Sequence, residues 1–240
     1  MLLDLCPKCG HILSAPASSC PRCGVIFAKL AQAEQRKKQS ASPTEDGVFR
    51  QLFLYAKSGE HGVVIGIRAI LLMVLVAYGL KLIFTPILNF PDTSWLLHAV
   101  NLVFHEAGHV FFSPFGRFLH VLGGPLGQLI IPAVVTGTFL WQRDTFGAAV
   151  GVWWLGESFL DIAPYINDAR AGQLMLLGGV TGSEVEDYHD WEVLLTKLNM
   201  MQYDHLFARF SFSIGSLLML AAMFWGCWLL WKSWQLRSKI

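Results

Sequence analysis

The stretch NLVFHEAGHVFF, residues 101–112, sets two histidines and a glutamate in apolar surroundings and spells H-E-x-x-H at His105, Glu106 and His109. On a helix, positions i and i+4 share a face, so both imidazoles reach one metal ion. Glu106 then sits beside that face, where a carboxylate takes a proton from water held by the metal. Two imidazoles leave a tetrahedral zinc short of one protein ligand and one water, the open geometry that catalysis requires. The competing reading is a polar cluster with a purely structural role. Against it, a charged side chain at mid-membrane costs about 2.5–3.5 kcal/mol on insertion scales, so such residues usually mark function.

A second group has a different chemistry. CPKCG carries Cys6 and Cys9, and CPRCG carries Cys20 and Cys23. Two Cys-x2-Cys pairs supply four thiolates, the tetrahedral set of a structural zinc. The Pro and Gly of each copy suit a tight knuckle whose backbone amides point at the sulfurs. A unit this short needs such a staple to fold. Two disulfides are the alternative, but a cytosolic, reducing location disfavours them. Four Cys ligands leave no open position, so the unit reads as a structural or adaptor-like zinc ribbon with a protein partner of its own. Cys227, alone in an apolar stretch, reads as a small buried hydrophobe.

The elements that must position these groups are membrane helices. Apolar residues make up 54% of the chain and charged ones 15%, with mean hydropathy +0.47. Nine Trp and seventeen Phe fit interfacial aromatic belts. A net charge of +1 gives no reason to expect a nucleic-acid partner. The N-terminal residues MLLDLCPKCGH lack the basic start and apolar run of a secretory signal, so the N-terminus is expected to be retained.

A spanning helix needs about 20 mostly apolar residues. Residues 62–84, 94–113, 121–141, 146–167 and 210–231 qualify, and the fourth carries Glu157, Asp161 and Pro164. The expected architecture is an all-α polytopic membrane protein of about five transmembrane helices with a small N-terminal zinc ribbon. Its divisions are a ribbon over 1–27, a helix and linker over 28–61, and a membrane domain over 62–240. Between the fourth and fifth spans, Trp191, Leu194, Leu195 and Leu198 recur at helical spacing, predicting an amphipathic helix that lies on the membrane or caps the bundle. His189 and His205 in that acidic segment read as exposed surface residues. Arg36, Lys37, Lys38, Arg50 and Lys57 place the N-terminus in the cytosol. Five spans would then put Lys232, Arg237 and Lys239 outside, against the same rule.

With these motifs, residues 62–182 resemble the site-2 protease family of intramembrane zinc metalloproteases. That family joins H-E-x-x-H in one membrane helix to a later aspartate, in a Leu-Asp-Gly-like motif, as third zinc ligand. A Gly-Pro-x-x-Asn-like motif lies between. Here GGPLGQ, residues 123–128, takes the middle place, with Gln128 where the family often has Asn. DIAPYINDAR, residues 161–170, takes the last. Only H-E-x-x-H matches strictly. The resemblance implies Asp168 as third ligand by motif order, while depth in the membrane favours Asp161. A break at Pro164 is one way to fold Asp168 inward. Glu157 and Gln128 are expected around the site as supporting polar residues, and GGPLGQ either approaches an extended substrate or packs helices.

The resemblance implies a zinc metalloendopeptidase. His105, His109 and Asp168 hold one catalytic Zn2+, Glu106 is the general base, and the four cysteines hold a structural Zn2+. The substrate is a membrane-embedded or membrane-proximal protein, and the setting a lipid bilayer, expected to be a bacterial inner membrane with the N-terminus in the cytosol. The alternative is a non-proteolytic membrane protein that uses the metal site for structure or metal handling and the ribbon as an interaction module.

Overall fold

In a computed structural model of the chain, residues 5–13, 18–30, 45–56 and 60–238 are described. Residues 31–44, which hold most of the helix expected after residue 28 and the start of the linker, lie outside them, while Glu45, Asp46 and Gly47, expected in the linker, are helical. The chain divides into two compact units, Met1–Phe49 and Arg50–Ile240.

In the first unit the two CPxCG repeats fold as near-copies. Cys6 N–H donates to His11 O (2.8 Å) and Gly10 N–H to Cys6 O (2.9 Å); Cys20 N–H donates to Val25 O and Gly24 N–H to Cys20 O, both at 2.9 Å. Gly10 and Gly24 sit at φ of 67° and 69°, where a β-carbon is disfavoured. The turns bring the four cysteines together.

The second unit is helical, and no strand is found among the described residues. Its helices are α1 (Glu45–Phe53, entering from the first unit), α2 (Gly62–Ile83), α3 (Phe90–Phe112), α4 (Arg117–Trp141), α5 (Thr145–Asp168), α6 (Asp190–Lys197) and α7 (Asp204–Arg237). Three of them are long and apolar enough to cross a membrane: α2, α4 and α7, the last counted from Met201. These three identify a membrane protein. Ile67, Ile70, Met73 and Val74 of α2 and Leu217 and Phe224 of α7 are exposed, as lipid-facing side chains should be. Cys227 is exposed among them rather than buried as expected, because it lies on the face of α7 that also exposes Phe224 and Trp231.

The spans expected over 94–113 and 146–167 fall within α3 and α5, helices of 23 and 24 residues that are not among the three. Their lower apolar character comes from the polar residues of interest. α5 is enclosed: it packs on α7, α4 and α3, and Glu157 and Asp161 are buried with it. Small residues permit the close approach. A β-carbon on Gly156 would lie 2.8 Å from Gly215 O of α7, and one on Gly123 of α4 2.6 Å from Gly108 O of α3. GGPLGQ is therefore a helix-packing element in the interior of α4, and α5 continues through Pro164 without a break.

The contacts also fix where each helix begins. The start of α2 (Gly62) lies against Arg237 at the end of α7, and Gly79 lies against Met219 and Met223. At that same end, Arg68 of α2 meets Asp144 between α4 and α5 (3.5 Å), and Tyr55 O accepts from Thr145 Oγ1 (2.6 Å). At the opposite end, Arg117 opening α4 pairs with Asp187, and Arg170 after α5 pairs with Asp204 opening α7, both at 2.7 Å. So α2, α4, α5 and α7 run end to end. α3 starts inside the bundle, where Phe90 packs with Leu82, Leu160 and Met219, and ends beside the start of α4, where His109 bonds the His120 carbonyl. Among the described residues, three of the five expected spans are thus found as helices long and apolar enough to cross, and the start of α2 and the end of α7 meet at one end.

Candidate metal centre

The four cysteine sulfurs lie within 4.8 Å of one another. Cys6 Sγ is 3.8 Å from Cys23 Sγ, and Cys9 Sγ is 3.7 Å from Cys20 Sγ. A tetrahedron with metal–sulfur bonds of about 2.3 Å has edges of about 3.8 Å. All four are free thiols. Burial raises the Cys20 thiol, but backbone N–H bonds from Cys23 and Arg22 outweigh it and lower the group to about 6. The second knuckle thus aims its amides at sulfur and favours a thiolate, whereas at Cys9 the His11 amide is outweighed by burial and the other three sulfurs, which push that thiol up to about 12.

The second group is His105, His109 and Asp190, with their donor atoms also within 4.8 Å of one another. Helical spacing puts the two rings 4.8 Å apart between centroids. Asp190 arrives from the start of α6. Its Oδ2 is 2.8 Å from His105 Nε2 and 3.2 Å from His109 Nε2. α6 is held there by Val193 and Leu194, which bury against Val121 of α4, with Phe118, Leu122 and Trp191 around them.

The hydrogen bonding around His109 decides what this arrangement needs. His109 Nδ1 donates to the carbonyl of His120 (2.8 Å), which can only accept, and His120 Nδ1 donates back to His109 O (2.9 Å). The neutral His109 ring therefore has no proton on Nε2. A lone pair then faces a carboxylate oxygen, and a cation or a proton must lie between them. Second bonds of this kind fix the tautomer and aim of metal-ligating histidines. Two imidazoles and one carboxylate form a donor set for zinc with a fourth position free.

Glycine keeps the rings in place. A β-carbon on Gly124 of α4 would come 2.5 Å from His109 Nε2 and 2.6 Å from His105 Nε2. At Gly108, between the two histidines, it would strike the Gly123 carbonyl. The H-E-x-x-H face is thus pressed on the backbone of GGPLGQ, with no room for a side chain. A cavity of about 790 Å³ opens beside the group, lined by Glu106, His120, Tyr165, Leu177 and Tyr188 among others. Glu106 makes no hydrogen bond or ion pair among the described residues, which leaves its carboxylate free for proton transfer.

The carboxylates expected to complete the site lie elsewhere. Asp168, at the end of α5, accepts backbone N–H bonds from Gln173 (3.0 Å) and Leu174 (2.8 Å), closing the turn after the helix. Asp161 accepts from Gln128 Nε2 (2.8 Å) and Asn101 Nδ2 (3.2 Å) and pairs with His98 Nδ1 (3.0 Å). Glu157 Oε2 accepts from the same Asn101 amide (2.9 Å), and Trp154 Nε1 donates to Asn101 Oδ1 (2.9 Å). This buried network ties α3, α4 and α5 together directly beside the metal-ligating face. Gln128 and Glu157 serve the network.

His189 is 1% exposed, not on the surface as expected. Its Nδ1 caps α6 by accepting from Glu192 N–H (3.3 Å), and its Nε2, 3.8 Å from Asp168 Oδ2, has no hydrogen-bond partner. Burial pushes His189 below its usual value against the pull of Asp168, Asp190 and Glu192. His205 is exposed as expected, bonded to Asn167 Oδ1 (2.7 Å). Asp190 and His120 were passed over in the sequence because neither belongs to a spaced motif. The one available sign was that an Asp opens the amphipathic helix.

Comparison with known proteins returns no family model, no curated protein and no solved structure that matches the chain.

Proposed function

We propose that the chain is a membrane-embedded zinc hydrolase that cleaves peptide bonds, with His105, His109 and Asp190 as ligands and Glu106 as general base. The observation that carries this is the approach of His109 Nε2, whose Nδ1 is committed to the His120 carbonyl, to within 3.2 Å of the Asp190 carboxylate, beside a free glutamate and a cavity. A zinc ion bound there would polarise a substrate carbonyl and lower the pKa of water toward 7. Glu106 is on the same helix turn as both imidazoles, placed to accept a proton from the attacking water and to return it to the leaving amine. His120 holds His109 in the tautomer that presents Nε2. Leu102, Val110, Ile162 and Leu177 in the cavity wall offer apolar contacts to an extended peptide segment.

Motif order, as in the site-2 protease family, supports a peptide substrate, although the carboxylate at the imidazoles here comes from outside the two motifs of that resemblance. The four-cysteine unit is a structural zinc ribbon in this reading, with a protein partner as its role. The test is Glu106→Gln in purified protein with a membrane-inserted peptide library. The expected result is unchanged zinc content and cleavage reduced by about 10²–10⁴-fold, the usual contribution of a general base. Cleavage at the wild-type rate would reject Glu106 as the base. Absence of cleavage in the wild type favours the second reading, a metal-holding membrane protein without peptidase activity.

A further inference from the structure

Resting on the hydrolase reading, we infer that the metal centre faces the non-cytosolic side of the membrane, so that its substrates are polypeptide segments emerging on that side. The first support is connectivity. The start of α2 and the end of α7 share one end of the bundle, where Gly62 lies against Arg237 and Arg68 meets Asp144. The metal centre is at the other end. Asp190 lies beyond the end of α5 and before the start of α7, and Arg117, the first residue of α4, pairs with Asp187 three residues before it.

The second support is charge. Arg50, Arg143, Lys232 and Arg237 flank the helices at the shared end of entry and exit. On the other side, Lys81, Arg117, Arg170, Lys197 and Arg209 lie at or near helix ends, five basic residues, whereas Arg36, Lys37, Lys38, Arg50 and Lys57 before α2, with Arg68, Arg143, Lys232 and Arg237, make nine. Short cytosolic flanks carry the excess of Lys and Arg, so the end with Gly62 and Arg237 faces the cytosol. Because the start of α2 and the end of α7 share that end, both sets of basic flanks lie on one side, which removes the conflict that five spans create.

The third support is the cavity itself. Met175, Leu177, Asp187 and Tyr188 form its wall, all from the segment between α5 and α6. Met175 and Leu177 are 65% and 50% exposed. A peptide reaches His105 and His109 past that segment, hence from the side on which the segment lies. The end of α3 that carries H-E-x-x-H also lies there, with Gly108 against Gly123 and His109 bonded to the His120 carbonyl near the start of α4.

The experiment is site-directed labelling of the full chain, with Cys227→Ser as background, one added cysteine at a time, and the labelling of the ribbon cysteines in that background subtracted under each condition. A membrane-impermeant maleimide is applied to intact bacterial cells and to permeabilised ones. Met175→Cys and Glu186→Cys are expected to label to the same extent in both. Ser238→Cys is expected to label only after permeabilisation. Gln202→Cys, exposed on the segment before α7, repeats the first result should either variant fail to fold. Labelling of Ser238→Cys in intact cells, or labelling of Met175→Cys, Glu186→Cys and Gln202→Cys only after permeabilisation, would overturn the inference. The readout makes no use of peptidase activity. A chain that labels as expected but cleaves nothing leaves the orientation standing and rejects the hydrolase reading alone.

Discussion

Asp190 Oδ2 stands 2.8 Å from His105 Nε2, although 85 residues separate the two in the chain. The bond joins the segment between α5 and α7 to α3. The candidate metal centre is therefore complete only when that segment is docked on the bundle.

The first prediction concerns the third ligand. Asp190→Ala should release the metal of the second unit and leave the ribbon metal, so that metal content falls by one ion per chain. Affinity should drop by more than the 10–100-fold typical of changes outside the ligand shell. Asp161→Ala and Asp168→Ala should retain both ions. Metal analysis of the three variants, with the ribbon ion counted in a Cys9→Ser background, decides the matter. Loss only in Asp168→Ala would reinstate motif order over geometry.

Gly124→Ala should disturb the same site from the opposite side. Its methyl group would lie about 2.5 Å from both imidazoles, and overpacking of that kind costs roughly 1–3 kcal/mol or displaces the rings. The expected outcome is weaker metal binding together with a lower melting temperature. Gly66→Ala, where a β-carbon meets nothing within 4 Å, should change neither.

The Asp161 network should matter to stability more than to metal. Asp161→Ala leaves His98 Nδ1 and Gln128 Nε2 without their acceptor, while Asn101 keeps Glu157, and each buried orphan costs about 1–3 kcal/mol. Thermal unfolding in detergent should fall well below that of Asp144→Ala, which removes only the N-cap bond to Gly147 N–H, worth about 1 kcal/mol, and an exposed ion pair with Arg68. Equal losses in the two variants would argue against a coupled network.

Asp168 should act as a clasp for the loop after α5. With the carboxylate removed, the amides of Gln173 and Leu174 lose their acceptor. Hydrogen exchange there should speed up in Asp168→Ala, and limited proteolysis between 173 and 188 should follow. Exchange at the wild-type rate would show that the turn holds itself.

Much of this protein is written locally. The two CPxCG knuckles, each a turn of a few residues closed by its own amides, are legible because every contact within a knuckle is short in sequence. The five long helices are legible too, since apolar runs set them residue by residue, and helical periodicity alone puts His105 and His109 on one face with Glu106 beside it. The helix starting near Trp191 is visible from its spacing.

Which long helices are apolar enough to cross was only partly legible. α3 and α5 are as long as spans but are not among the three that qualify, because they carry the polar residues buried against their neighbours. The carboxylate at the imidazoles was also hidden. Asp161, Asp168 and Asp190 are alike in composition, and their distances from His105 depend on how α5 and α6 pack. Asp161 is committed to Gln128 and Asn101, Asp168 to its own turn, and Asp190 is delivered by Val193 and Leu194 burying on Val121. Residue type and helical spacing determined the two imidazoles. Which carboxylate meets them was decided by burial of an apolar face elsewhere, a tertiary effect with no local signature.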